Sequence, residues 1–115
     1  MKLVIAIIQP SRLNDVKDEL SNVEVFRMTV TEAKGFGQQK GQKEIYRGIE
    51  YELTFIDKIR LEIAVNDNFL QPTIDAIIRG AKSGPEGKIG DGKIIVMPVE
   101  NVIRIRTGEH GGEAI

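Results

Sequence analysis

The 115-residue chain has no cysteine and a single histidine, His110. With no thiol there is no disulfide framework and no thiolate metal site. With one histidine in a Gly-rich end, neither a Cys–His pair nor a convincing Ser–His–Asp set exists. Aromatics make up only 5% of the chain, so platforms for stacking nucleic-acid bases are scarce. Net charge is −1, so no overall field draws the protein to nucleic acid or an anionic membrane. No stretch approaches the roughly 18 apolar residues of a membrane span, and the apolar run at 3–8 is too short for a signal peptide. A cytoplasmic address is the expectation.

What is present is one domain's worth of chain, 41% hydrophobic. That is enough for a core, with apolar surface left over for self-association. LVIAII at 3–8 reads as a buried strand. Ser11 is positioned to cap a helix to about Leu20, with Leu13, Val16 and Leu20 on one face. Residues 25–32 alternate, with Phe26, Met28 and Val30 opposite Arg27, Thr29 and Thr31. The polar, Gly-rich stretch 34–48 reads as a long loop. Alternation returns at 58–65, where Ile59, Leu61, Ile63 and Val65 face the core. A second helix is expected over 69–82, its stripe formed by Ile74, Ile77, Ile78 and Ala81, with Pro72 in its first turn. Strands at 94–99 and 102–106 follow the 83–92 loop. LVIAI at 3–7 and LEIAV at 61–65 each precede a turn and a helix. This echo predicts two β-α-β units in the ferredoxin-like α+β arrangement, an antiparallel four-stranded sheet with two helices on one face.

Two segments carry chemistry. GKIGDGKI at 87–94 alternates glycines with Lys88, Asp91 and Lys93. Glycine-rich turns let successive N–H groups converge on an anion. The stretch matches G-x-x-x-x-G-K, but Ile94 stands where a P-loop needs Ser or Thr, and a strand rather than a helix follows. In a strand, Arg104 and Arg106 would share a face and supply charge matched to phosphate. The plain alternatives are a glycine turn and a solvated edge with Glu100 or Glu109 as partners. A second glycine cluster, GFGQQKG at 35–41, offers the amide oxygens of Gln38 and Gln39 to a hard cation. Lys58 suits a carboxylate ligand, or a surface pair with Glu62 or Asp57. Tyr46 and Tyr51 are loop phenols open to modifying enzymes. A polyphosphate site without base or nucleophile suggests sensing rather than turnover.

TVTEAKGFGQQKG at 29–41, YRGIEY at 46–51, KIGDGKI at 88–94 and VIRIRTGE at 102–109 together resemble the PII nitrogen-regulatory signal-transduction proteins. The resemblance runs from about residue 2 to the end. It implies a homotrimer of ferredoxin-like subunits that binds ATP or ADP between subunits, and 2-oxoglutarate together with Mg-ATP. A long loop, about 37–55, contacts ammonium transporters or enzymes of nitrogen metabolism, so any membrane link runs through a transporter. Position by position, Gly90, Asp91, Gly92 and Lys93 would cradle the phosphates in the loop at about 83–93. Arg104 and Arg106, in the end segment 102–115, would complete the charge. Ile7, Thr29, Glu62 and Ala64 would surround adenine and ribose, with Gly35, Gly37 and Gln38 also at the nucleotide. Gln39 would bind Mg²⁺, while Lys58 and Gln39, Lys40 and Gly41 would hold 2-oxoglutarate. Tyr51 matches the tyrosine that a nucleotidylyltransferase modifies in some branches. Departures are Gln38 for the usual arginine, Gln9 and Ser11 for lysine and phenylalanine, extra residues within 84–87, and Ile49 where another branch carries a phosphorylated serine. Rival readings are an RNA-binding module, since KGFG at 34–37 opens like an RRM signature, and a slow ATPase.

Overall fold

The run LVIAII forms the inner strand β1 (Lys2–Ile8), because a continuous apolar run can be covered on both sides. The computed structural model describes residues 1–38 and 53–115, with only the backbone described at Gln38. The remaining elements are α1 (Leu13–Asn22), β2 (Thr29–Gln38), β3 (Leu53–Val65), α2 (Asp67–Ala81) and β4 (Gly92–Pro98). Two short 3₁₀ turns lie at Pro10–Arg12 and Gly111–Ala114. The strands form one sheet in the order β2-β3-β1-β4, and every neighbouring pair is antiparallel. Strand β3 is thus inserted between β1 and β2, which gives the ferredoxin-like fold expected.

The core lies between the sheet and both helices. Val4, Ala6, Ile8, Leu61, Ile63 and Val65 meet Val16 and Leu20 of α1 and Ala76, Ile77 and Ala81 of α2. Each large side chain so buried contributes roughly 1.5–3 kcal/mol. The helices cross where Gly80 sits: a Cβ there would lie 2.7 Å from Val16 Cα.

Several local expectations are corrected. Ser11 caps nothing; it lies inside the 3₁₀ turn, and Arg12 is the N-cap of α1. Pro10, with φ already near the helical value, starts that turn before Ser11 can take the extended cap conformation. Strand β2 begins at Thr29 rather than residue 25, because the Val25 amide bonds the Leu20 carbonyl and closes α1. It then runs on into the expected loop. Phe36 pairs opposite Phe55, ring centroids 4.9 Å apart, and Lys34 opposite Asp57. Such cross-strand pairs support a strand whose glycines argue against one. In α2, Pro72 lies beyond the first turn, on the solvent side. The buried stripe is rotated to Thr73, Ala76, Ile77, Gly80 and Ala81, leaving Ile78 exposed and Ile74 half-buried. Close contact at Gly80 turns the helix so that its small residues face α1.

Candidate functional site

Opposed residues in an antiparallel ladder share a face, so the register maps the side of the sheet that the helices leave open. Thr31, Arg60, Ile7 and Lys93 form one row across it. The next row holds Thr29, Glu62, Ile5 and Ile95, and the one beyond it Ala64, Leu3 and Met97. On the other side of the first row, Lys58 lies opposite Ala33, with Gly35 and Gly37 further along the same face of β2. The Arg60 guanidinium donates twice to Glu62 Oε2, at 3.1 and 2.9 Å. Lys58 pairs with neither carboxylate offered for it: Asp57 points to the other face, where Lys34 bonds it, and Glu62 is held by Arg60. Instead Lys58 Nζ donates to the Gly90 carbonyl at 2.8 Å. Consecutive strand residues face opposite ways, so sequence alone excludes Asp57 as an easy partner. Only folding brings Gly90 to Lys58.

Gly90 belongs to the segment that joins α2 to β4. It and Gly92 both have positive φ, 102° and 113°. A Cβ on Gly92 would lie 1.8 Å from the Ile7 carbonyl oxygen, so β4 can begin beside β1 only with glycine there. Asp91 folds the segment on itself. Its Oδ2 accepts the Ser83 and Lys88 amides, each at 2.9 Å. Its Oδ1 accepts the Ser83 hydroxyl at 2.7 Å and the Gln9 amide at 3.2 Å. Hydrogen bonds from Ser83, then from the Lys88 backbone, lower the Asp91 carboxyl from its ordinary value to about 2. The amides of Ile89 and Gly90 have no partner among the described residues, which leaves them available to an anion. Ser83 was missed in the sequence, and Gln9 was named there only as a departure from the family pattern, because neither belongs to a glycine motif.

Arg104 and Arg106 do not lie in a strand, which corrects the expectation of a shared face. The segment forms a hairpin-like turn with one isolated bridge, Ile103 to His110. The Gly108 amide bonds the Arg104 carbonyl at 2.7 Å, and the Arg104 amide bonds the Glu109 carbonyl at 2.8 Å. Gly108, with φ of 74°, reverses the chain before the alternation grows into a strand. The Arg104 guanidinium donates to Glu109 Oε1 at 2.8 Å and to the Glu113 carbonyl at 2.9 Å. The Glu109 partnership is thus present. Arg106 makes no side-chain hydrogen bond among the described residues, and Ile105 at the tip is fully exposed.

The predicted residues therefore fall into two groups. Ile7, Lys58, Gly90, Asp91, Gly92 and Lys93 gather where β1 ends and β4 starts, with Gly35 beside Lys58 and Gly37 further out along β2. Thr29 and Glu62 stand in the row next to Ile7 and Lys93, and Ala64 in the row beyond it, towards the other end of β1. The 101–115 segment is tied there by Asn66 to the Gly112 carbonyl and by Arg27 to the Ile115 carbonyl. Strand β1 separates its two ends by roughly 20 Å, so one chain does not unite Arg104 with Lys93. Gln39, Lys40, Gly41, Tyr46, Ile49 and Tyr51 lie outside the described residues, as does the side chain of Gln38. Among the described residues no three His, Asp or Glu side chains converge as a metal site, and no helix is long and apolar enough to cross a membrane.

A family profile described as "Nitrogen regulatory protein P-II" matches residues 1–109. The nitrogen regulatory protein GlnK1 of Methanosarcina mazei is 59% identical over 115 residues, spanning 100% of this chain and 97% of that protein. The nitrogen regulatory protein P-II of Azospirillum brasilense is 51% identical over 100% of both chains. Among solved structures, GlnK of B. subtilis superposes with a TM-score of 0.80 at 33% identity, covering 99% of this chain and 97% of the other.

Proposed function

Since the chain belongs to the nitrogen regulatory protein P-II family, whose members are regulators and not enzymes, we propose that it is a homotrimeric sensor of ATP, ADP and 2-oxoglutarate. The observation that carries this reading is that Lys93 and its glycine-rich segment lie at one end of β1 while the segment bearing Arg104 and Arg106 is tied at the other. Half a site at each end is what a closed ring of identical subunits needs, because head-to-tail contact joins unlike halves.

In that ring, the turn at Gly90, Asp91 and Gly92 and the Lys93 ammonium of one subunit cradle the phosphates, with the Ile89 and Gly90 amides, unpaired among the described residues, donating to them. Arg104 and Arg106 of the next close over them. Guanidinium groups suit this task because their fixed fork matches phosphate oxygens. Ile7 from the first half and Thr29, Glu62 and Ala64 from the second surround adenine and ribose, and Gly35, Gly37 and Gln38 border the nucleotide. The Gln39 amide oxygen would hold Mg²⁺, a hard cation that keeps phosphate and water ligands. Bound there, it offsets the charge of a triphosphate beside a dicarboxylate. Lys58, with Gln39, Lys40 and Gly41, holds 2-oxoglutarate, exchanging its bond to the Gly90 carbonyl for the ligand's carboxylate.

The output is the 37–55 segment. A ligand shifts its conformers only by its differential affinity for them. Mg-ATP with 2-oxoglutarate favours one arrangement and ADP another, and the segment engages an ammonium transporter or nitrogen-metabolism enzymes in the cytoplasm. Tyr51 is its candidate site for nucleotidylylation. Native mass spectrometry with calorimetry tests the whole: a trimer is expected, taking up ATP, and taking up 2-oxoglutarate only when Mg-ATP is present. A monomer indifferent to millimolar adenine nucleotide overturns it.

A further inference from the structure

Asp91 stands in the middle of the glycine-rich segment, where a carboxylate is an odd neighbour for phosphate. Its geometry accounts for it. Both oxygens are saturated, Oδ1 by the Ser83 hydroxyl and the Gln9 amide, Oδ2 by the Ser83 and Lys88 backbone amides. A carboxylate so occupied cannot take a ligand hydroxyl or a metal without giving up a bond it already has. Two of the four bonds, from the Ser83 amide and hydroxyl, span the eight positions from Ser83 to Asp91 and so close the stretch that includes Gly84–Gly87. A turn bond from the Asp91 amide to the Lys88 carbonyl at 3.1 Å locks the near side. Two amides, those of Ser83 and Lys88, are thereby turned inward, while those of Ile89 and Gly90 remain unpaired among the described residues.

We propose that Asp91 is a positioning residue whose side chain touches no ligand, and that with Ser83 and Gln9 it presets the 83–92 segment for polyphosphate. The role rests on the reading of the site given above. It explains why a long connection does not forfeit affinity: the ordering is complete before the ligand arrives, so binding does not have to supply it. The depressed pKa of the carboxyl is the mark of the same bonds.

Asp91→Asn tests this, because an amide nitrogen would then confront amide donors. Hydrogen exchange of the Ser83 and Lys88 amides should rise about tenfold, while that of Leu61 in the core stays unchanged. ATP should bind about tenfold more weakly. Ser83→Ala should weaken ATP in the same direction, and Ser83→Thr, which keeps the hydroxyl, should restore it. Asp91→Asn with wild-type ATP affinity, or with Ser83 and Lys88 amides still protected, overturns the positioning role. A wild-type protein that takes no ATP instead overturns the reading of the site, and the role with it.

Discussion

Replacing Gly80 by alanine sets two effects of opposite sign against each other. In the interior of a helix, alanine is favoured over glycine by about 1 kcal/mol, so propensity alone predicts a more stable protein. The packing predicts the reverse. The added Cβ would lie 2.7 Å from Val16 Cα, 2.8 Å from Val16 N and 3.0 Å from the Asp15 carbonyl carbon. All three are backbone atoms, so no rotamer change relieves the contact. Helix α1 must withdraw by roughly 1 Å to reach ordinary contact distance. Val16 and Leu20, both fully buried, move with it out of the core. Overpacking of this kind costs up to about 3 kcal/mol. Less the propensity gain, the net loss is about 2 kcal/mol, a fall in Tm of roughly 8 °C for a chain of this size. Calorimetry at one fixed protein concentration measures it, since assembly makes Tm concentration-dependent. A variant that melts at or above the wild-type temperature refutes the idea that backbone contact at Gly80 sets the helix crossing.

Thr73 is fully buried and its hydroxyl has no partner among the described residues; Thr73→Val should therefore raise stability by roughly 1 kcal/mol, seen as a higher urea midpoint, and a lower midpoint would reveal a hidden partner. Because the folded-state pKa of Asp91 is depressed to about 2, its contribution is complete above the ordinary carboxylate value and is lost as pH falls towards 2; Asp91→Asn should flatten the decline in urea midpoint between about pH 5 and about pH 2.5, and an unchanged decline would exclude Asp91 as a source of it. Lys93→Ala and Arg104→Ala should each weaken ATP binding about tenfold or more in calorimetry. If each site draws Lys93 from one subunit and Arg104 from the next, mixing the two variants after unfolding should regenerate about a quarter of the sites at wild-type affinity; no recovery would mean both residues act within one chain.

The fold was legible because two signals coincided: period-two alternation at Ile59, Leu61, Ile63 and Val65, and apolar segments repeated before turns and helices. The register of β2 was not, since Phe36 opposite Phe55 and Lys34 opposite Asp57 are pairings between distant residues that no local window contains. Pro72 misled for a related reason. Its place in α2 depends on where Asn66 starts the helix, and Asn66 also bonds the Gly112 carbonyl, far along the chain. At the site, glycine spacing singled out the candidate anion segment but not what shapes it. Gln9 and Ser83 reach Asp91 from β1 and α2 sides of the sheet edge, and nothing in GKIGDGK announces them. Arg104 and Arg106 were found by charge yet given the wrong backbone, because VIRIR alternates while Gly108 turns the chain back too soon.

Strand β1 stops supporting β3 at the pair Ile8 and Ile59, yet β2 and β3 stay paired as far as Gln38 and Leu53. Beyond the pair Ile8 and Ile59, among the described residues, they form a two-stranded arm with no third strand beside it. Bonds between the two strands resist shear and stretching, but a ribbon with no third strand twists easily. Torque applied at its far end therefore arrives as rotation about the arm's own axis, and its fulcrum is the rung that carries Lys58. On the proposed function, a mechanical load and a small anion meet at this same lysine.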